Sequence, residues 1–136
     1  MAGYSGTPLP TKLGIKEGSR VALVGAPAGF DLGVLPTGAV VAKRIGKQHD
    51  VIVAFVTVRA KLDGVIDQLR PKMTDAAGLW IAWPKKASGV ATDMTEQAIR
   101  DVALPTGLVD NKVCAIDETW SGLRLVIRRE LRPARK

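Results

Sequence analysis

The chain has 136 residues, 46% hydrophobic and 24% charged, a composition typical of one globular domain with its own core. One cysteine excludes an intramolecular disulfide and fits a reducing cytoplasm, and one histidine leaves too few ligands for a Cys/His zinc site or a histidine-based triad. No apolar run approaches the roughly 20 residues of a membrane helix, and no signal-peptide pattern opens the chain. We therefore predict a cytoplasmic protein without a metal or a membrane partner.

The net charge of +7 is concentrated near the C-terminus. Residues 128–136 contain five lysine or arginine residues and one glutamate, so more than half of the net charge lies there. We divide the chain into an N-terminal arm over 1–18, a single α/β domain over 19–128 and a basic tail over 129–136. A basic tail can hold nucleic acid by screened Coulomb attraction, although a solvated, frayed terminus is the simpler interpretation.

The first part of the chain predicts two short strands around a glycine-rich loop. Residues 1–18 are rich in glycine, proline and lysine without a clear period, so we expect an irregular lead-in there. Residues 20–24 are a short apolar run between glycines, which indicates a buried strand, and residues 39–42 indicate a second strand. Prolines and glycines allow the loop over 25–38 at most a turn or two of helix.

The middle of the chain alternates strands and a helix. Residues 50–56 form the most β-branched run, which predicts a central strand buried on both faces. Apolar residues then recur at helical spacing, which predicts a helix over about 58–70 that ends at Pro71. The next strand, residues 79–83, contains two tryptophans and stops at a proline.

The last third predicts one helix and a hairpin. Asp93 followed three residues later by Glu96 is typical of a helix start, with Asp93 as the N-cap. Residues 113–116 and 123–127 are apolar runs joined by a short polar segment, which predicts an antiparallel hairpin.

The order of these elements predicts an α/β fold. One link is difficult to place, because only about eight residues connect the second and third strands and a parallel crossover normally needs a dozen or more. Either this link is a stretched coil that crosses the sheet edge, which we favour, or the two strands pair antiparallel.

From about residue 20 to 128 the layout resembles a Rossmann-like methyltransferase fold with a shortened early portion. The units that match best are strand 51–56, the helix after it, strand 79–83, the next helix and the closing hairpin. The resemblance is architectural. It implies a three-layer, mostly parallel Rossmann-like sheet that is closed by an antiparallel hairpin.

Methyltransferases of this type hold S-adenosylmethionine in a glycine-rich loop after the first strand. The corresponding loop here, residues 25–29, contains a proline and has wider glycine spacing. An acidic residue at the end of the second strand usually binds the ribose, whereas Lys43 and Arg44 follow the second strand here. The resemblance therefore leaves the cofactor unknown.

Four segments carry a closer resemblance: residues 3–9, residues 12–15, the Trp-Pro-Lys-Lys loop at 83–86, and residues 110–123 with their Asp-Glu-Thr-Trp-Ser-Gly turn. They are similar to a family of short bacterial proteins that is classed only as a domain of unknown function. This resemblance spans nearly the whole chain and implies a small cytoplasmic bacterial protein. It implies no activity.

Ligands of open α/β sheets bind outside the carboxyl ends of the parallel strands, near a switch in strand order. We expect three loops at that edge, residues 25–30, 57–59 and 84–89. The hairpin turn at 117–121 should join them, because the first strand of the hairpin would run parallel to the others. The candidate ligand-binding residues are Gly25, Ala26, Pro27, Thr57, Arg59, Trp83, Lys85, Lys86, Ser88, Asp117, Glu118 and Trp120.

In this predicted cleft the cations Lys85, Lys86 and Arg59 would face Asp117 and Glu118, with a tryptophan as an apolar wall. Adjacent carboxylates diverge in an extended chain, so an ion pair with the lysines or a turn hydrogen bond is a simpler role than general acid–base work. The Ser-Gly step at residues 88–89 would orient backbone N–H groups toward a phosphate, although a solvated loop is the simpler interpretation.

Four further residues have structural interpretations. Trp80 and Trp83 should point to opposite faces of their strand, with Trp80 in the core. Cys114 lies in an apolar run, which favours an inert core residue. His49 lies in a polar link, so we expect it to be exposed and without a ligand role.

Three functions agree with the sequence, and whether the chain is an enzyme is left open. The first is a non-catalytic binding or regulatory domain with a degenerate methyltransferase-like fold, whose cleft takes an anionic small molecule or a protein partner. The second is a divergent transferase that uses the cleft at the Lys85 and Glu118 edge. The third is a nucleic-acid binder through the basic tail, disfavoured because few aromatic residues are available for base stacking. Self-association into a homo-oligomer is also left open.

Overall fold

A computed structural model of the chain describes residues 7–132. The parts of the N-terminal arm and of the basic tail that were predicted for residues 1–6 and 133–136 lie outside the described residues. The helices and strands, in chain order, are α1 (Leu9–Leu13), β1 (Arg20–Val24), β2 (Val40–Ala42), β3 (His49–Phe55), α2 (Leu62–Leu69), β4 (Met73–Pro84), α3 (Glu96–Ala103), β5 (Leu108–Ala115) and β6 (Trp120–Ile127).

The six strands form one sheet in the order β2-β1-β3-β4-β6-β5. The strands β2, β1, β3 and β4 are mutually parallel, and β6 is antiparallel to both β4 and β5. The first strand of the hairpin, β5, therefore runs in the direction of the parallel strands, as expected. The predicted fold class, a mostly parallel Rossmann-like sheet closed by an antiparallel hairpin, is confirmed.

The short link between β2 and β3 is a coil over residues 43–48, and the antiparallel alternative is wrong because β1 separates the two strands. Ala42 pairs with Ala22, and Val51 pairs with Val21. The link therefore covers only a short distance along the strand direction. Across the sheet it spans two strand spacings of about 4.8 Å each. This small distance explains why fewer residues suffice than a helical crossover needs.

The two faces of the sheet are covered by different kinds of structure. Both α2 and α3 pack on one face, where α2 buries Leu62, Ile66 and Leu69. On the other face, α1 and the loop between β1 and β2 form a thinner layer around Trp80. Trp80 is fully buried, as predicted, and its Nε1 donates to the Leu13 carbonyl oxygen at 3.0 Å.

The lead-in is more ordered than its composition suggests. Residues Leu9–Leu13 are helical, with a proline in the first turn and Gly14 ending the helix at φ 81°. Leu13 and Ile15 are buried against the sheet. The Lys112 ammonium donates to the Lys12 carbonyl oxygen at 3.1 Å, which ties this segment to β5. A five-residue helix is too short to show helical periodicity, so the sequence did not predict it.

Two local predictions are wrong. The N-cap of α3 is Thr95 rather than Asp93, because the Thr95 hydroxyl accepts from the Ala98 N–H at 3.0 Å. His49 is 6% exposed rather than solvated, because it opens β3 and its Nε2 accepts from the Gly46 N–H at 2.7 Å. Within residues 7–132, no helix has the length and apolar character to cross a membrane.

Candidate functional site

The loop after β4 and the hairpin turn meet at the carboxyl edge of the parallel strands. Pro84 pairs with Trp120, and the Lys85 N–H donates to the Thr119 carbonyl oxygen at 2.8 Å. The predicted contact between these two distant stretches is therefore present. It follows from the direction of β5, which delivers the turn to the same edge as the parallel strands.

The segment before α3 is hydrogen-bonded to the loop after β3. The Thr92 hydroxyl donates to the Thr57 carbonyl oxygen at 2.6 Å, and Asp93 Oδ1 accepts from the Arg59 N–H at 2.7 Å. Asp93 thus caps the loop after β3 instead of α3. The backbones of Thr57 and Arg59 are structural, and the Arg59 side chain is exposed.

The loop after β1 approaches β3 so closely that it requires glycine. Gly25 has φ 69°, and a Cβ built on it would lie 3.2 Å from the Phe55 carbonyl oxygen. A side chain would therefore meet both backbone strain and a backbone contact. The Phe30 ring packs edge-on against Phe55 at 4.9 Å between centroids, and Phe55 packs in the same way against Trp120 at 5.0 Å. This aromatic row (Phe30, Phe55, Trp120) joins the glycine loop to the hairpin turn.

A cavity of about 290 Å³, which we name the glycine-loop pocket, opens beside this loop. Lys43, directly after β2, is the one charged residue in its lining, all of which belongs to residues 7–132. A lone ammonium group in a concave site favours an anionic ligand. The lining residues are Leu23, Gly25, Ala26, Pro27, Ala28, Gly29, Phe30 and Lys43.

A second cavity, of about 320 Å³, lies at the same edge between the end of β4 and the start of α3. We name it the tryptophan pocket, and its lining combines apolar side chains with charges of both signs. Glu96 at its rim is paired with Arg100, which also contacts Asp110. The hydrogen bonds with the carboxylates of Asp110 and Glu96 raise the pKa of Arg100. The lining residues are Trp83, Pro84, Lys86, Thr92, Asp93, Met94, Thr95 and Glu96.

The predicted site residues are divided between the two pockets instead of facing one another across a single cleft. Gly25, Ala26 and Pro27 line the glycine-loop pocket, and Trp83 and Lys86 line the tryptophan pocket. The remaining candidates line neither pocket: Thr57, Arg59, Lys85, Ser88, Asp117, Glu118 and Trp120.

The carboxylate of Asp117 is hydrogen-bonded within the hairpin turn itself. Asp117 Oδ1 accepts from the N–H groups of Thr119 and Trp120, both at 2.8 Å. Over residues 7–132 no ion pair joins Asp117 or Glu118 to the lysines of the neighbouring loop. The turn hydrogen bond that was predicted as one alternative is therefore present at Asp117, and the other alternative, an ion pair with the lysines, is not formed among the described residues.

Ser88 is likewise occupied within its own loop. Its hydroxyl donates to the Lys85 carbonyl oxygen at 2.6 Å and accepts from the Val90 N–H at 3.1 Å. These bonds hold the 3-10 turn Lys86–Ser88, which Gly89 ends at φ 77°. The hydroxyl therefore shapes the loop and is not directed at either pocket.

Five lining residues of the glycine-loop pocket were not among the candidates: Leu23, Ala28, Gly29, Phe30 and Lys43. Of these, Leu23 and Lys43 also lie outside the loop over residues 25–30 that was expected at this edge. Lys43 was visible only as a departure from the acidic residue expected after the second strand. Its position immediately after β2 was the signal that could have placed it at the site, because strand ends on one edge share a surface.

The half-buried thiol of Cys114 and the placement of possible metal ligands bear on whether the chain could use thiol or metal chemistry. Burial of Cys114 raises the pKa of its thiol, although nearby Lys12 and Lys112 oppose the shift. A protonated thiol is a weak nucleophile, in agreement with an inert side chain. Among residues 7–132, no group of three or more His, Cys, Asp and Glu side chains is placed to hold a metal ion.

No protein-family model matches the sequence, and no curated protein matches it. Solved structures match its fold. The fibrillarin pre-rRNA processing protein of Methanococcus jannaschii superposes with a TM-score of 0.61 at 14% identity, over 89% of this chain and 69% of that chain. An S-adenosylmethionine-dependent methyltransferase of Aquifex aeolicus gives 0.58 at 14% identity, over 86% of this chain and 87% of that chain.

A third neighbour is magnesium protoporphyrin IX methyltransferase of Synechocystis, solved with bound S-adenosylmethionine. Its TM-score is 0.59 at 13% identity, over 82% of this chain and 71% of that chain. At these identities the likeness establishes the fold alone. The sheet described above is therefore of the Rossmann-like methyltransferase type.

Proposed function

We propose that this protein is a non-catalytic binding or regulatory domain on a methyltransferase-like fold, and that its ligand is an anionic small molecule held in the glycine-loop pocket. One observation carries the proposal: the charged residue of that pocket is Lys43, at the end of β2. In the methyltransferases that the chain resembles, an acid at this place accepts hydrogen bonds from the ribose. An ammonium group only donates, so Lys43 cannot replace that acid.

The shape of the pocket supports a small ligand. Its volume of about 290 Å³ is at the lower end of the range for small-molecule sites. The Phe30 N–H donates to the Pro27 carbonyl oxygen at 3.1 Å, and Gly29 takes φ 81°, so the rim is already folded. A preformed rim reduces the conformational entropy lost on binding.

A divergent transferase is the second candidate, and the tryptophan pocket favours it. Two cavities at one sheet edge would allow a donor in one and an acceptor in the other. All three structural neighbours described above match the fold, and two of them are named as methyltransferases. Because Lys85 and Glu118 line neither pocket, the reactive groups of such an enzyme would instead come from Lys86, Asp93 and Glu96.

The remaining predictions are not favoured by a specific observation. Near the C-terminus, Arg128 at the end of the domain and Arg132 in the tail donate to the carbonyl oxygens of Leu104 and Ile127, so part of the positive charge there lies against the domain. Nucleic-acid binding, a protein partner and self-association stay predictions. So do the cytoplasmic location and the resemblance to the bacterial domain of unknown function.

A thermal-shift screen tests the proposed function. The probes are inorganic phosphate, pyrophosphate, nucleotides, sugar phosphates and S-adenosylmethionine. A ligand that binds only the folded chain stabilises it by about 2.7 kcal/mol at a hundredfold excess over Kd, which corresponds to a rise in Tm on the order of 10 °C. We expect this rise with an anionic probe and its loss in the variant Lys43→Glu.

The matched control is Lys47→Glu, which reverses an exposed lysine in the same link that lines no described pocket. It should keep the shift, with a small loss from the weaker long-range field. An unchanged response in Lys43→Glu would contradict the proposed site. Methyl transfer from isotopically labelled S-adenosylmethionine to any acceptor would replace the proposal with the transferase.

A further inference from the structure

A shallower apolar groove adjoins the glycine-loop pocket. Its volume is about 190 Å³, and it shares Leu23, Phe30 and Lys43 with that pocket. The two cavities are therefore neighbouring parts of one depression, with Lys43 at both. We name the second part the aliphatic groove; its lining residues are Leu23, Phe30, Asp31, Leu32, Gly33, Leu35, Val41 and Lys43.

The groove presents mostly apolar side chains and few groups that could hydrogen-bond to a polar ring. Four of its side chains are leucine or valine, and its one carboxylate, Asp31, has Oδ1 engaged by the Gly33 N–H at 2.8 Å. Such a groove offers few side-chain hydrogen-bond partners to the ring nitrogens and exocyclic groups of a nucleobase. An alkyl chain has no such groups to satisfy.

The outer rim of the groove is also apolar. Val34 is 94% exposed and Val41 is 37% exposed, and Val40 beside them is exposed as well. Val40 and Val41 lie in β2, the edge strand that pairs only with β1 among the described strands, and their side chains point to opposite faces of it. Val41, which lines the groove, therefore extends its apolar surface toward the sheet edge.

We infer that the ligand is a single-chain amphiphile, with its anionic head group in the glycine-loop pocket and its alkyl chain along the aliphatic groove toward Val41. The inference rests on the proposed function for the head group and adds the class of the rest of the molecule. Lys43 suits this boundary, because the four-carbon stem of a lysine packs on apolar surface while its ammonium group meets an anion.

A homologous series of alkyl phosphates tests the inference on the full chain. Binding of methyl, butyl, hexyl and octyl phosphate is measured by calorimetry, each below its micelle-forming concentration. Each methylene that leaves water for the groove should tighten Kd by about fourfold until the groove is filled. Octanol, which lacks the anion, should bind more weakly than octyl phosphate.

The outcomes separate the two proposals. Equal Kd values across the series would overturn the chain inference and leave the anionic head-group site standing. Absence of binding by every alkyl phosphate would overturn both. Octanol that binds as tightly as octyl phosphate would overturn the role of Lys43. Adenosine monophosphate that binds more tightly than octyl phosphate, with the same dependence on Lys43, would overturn the amphiphile in favour of a nucleotide.

A pair of neutral variants locates the chain. Val41→Asn places a polar side chain in the groove without changing the charge near Lys43, and Val113→Asn makes the same change at a 52% exposed valine on the opposite edge strand, β5. Val41→Asn should flatten the chain-length dependence and leave methyl phosphate binding unchanged. Val113→Asn should behave as the unmodified protein. Equal affinity of both variants for octyl phosphate would overturn the assignment of the groove.

Discussion

Lys43 is the one charged side chain among the lining residues of the glycine-loop pocket, all of which the structure describes. A carboxylate at the end of the second strand would accept hydrogen bonds from hydroxyl groups, whereas the ammonium group there donates and attracts anions. Lys43 therefore gives the pocket the opposite charge to the acid expected from the resemblance to methyltransferases.

His49 should make the stability of the protein depend on pH. Burial lowers the pKa of its imidazole, Arg20 lowers it further, and Asp50 partly opposes the shift. Nε2 accepts from the Gly46 N–H, so the proton of the neutral ring lies on Nδ1, which finds no acceptor within residues 7–132. A second proton would break the Gly46 hydrogen bond, because protonated imidazole has no acceptor left.

The sign of this effect follows from proton linkage. The unfolded chain, with an ordinary pKa near 6.5, takes up the proton before the folded chain does. The free energy of unfolding should therefore fall as the pH drops below about 6.5, and this contribution should be constant at higher pH. His49→Gln keeps an acceptor for Gly46 but does not titrate. Urea denaturation at several pH values should show a flatter profile for His49→Gln, and identical profiles would contradict the account.

Among the secondary-structure elements, the buried strands could be predicted because they carry continuous apolar runs. The helices α2 and α3 could be predicted because each has an amphipathic face. The runs at 20–24 and 50–56 correspond closely to β1 and β3. The starts of β4 and β5 were missed. In β5, Asn111 and Lys112 are exposed at the sheet edge, and their polarity interrupts the apolar pattern. Edge strands tolerate such residues because one side of their backbone faces solvent.

The start of α3 provides a test at this scale. Thr95→Ala removes the hydroxyl that accepts from the Ala98 N–H, and it should lower the free energy of unfolding by about 1 kcal/mol. Thr95→Ser retains a capping hydroxyl and should lose much less. Urea denaturation measures both variants. An equal loss in the two would show that the hydroxyl does not cap the helix.

For the whole molecule, the sheet edge at which the loops meet could be predicted, but the division of the site into two pockets could not. The direction of β5 brings the hairpin turn to the loop after β4, a consequence of topology that element order already contains. The division into two pockets depends on hydrogen bonds inside the loops, such as Asp93 with the Arg59 backbone and Asp117 with its own turn. Such hydrogen bonds produce no periodic pattern in a sequence, so they could not be predicted. In the structure, the charges that were expected to face one another across one cleft are not brought together.

We propose that an anion occupies the glycine-loop pocket beside Lys43. Residue-resolved NMR of the full chain, titrated with methyl phosphate, tests it most directly. We predict that amide shift changes concentrate at residues 25–30 and Lys43, leave residues 92–96 of the tryptophan pocket unaffected, and disappear in Lys43→Glu. Shift changes centred on residues 92–96, or a response that survives Lys43→Glu, would contradict the account.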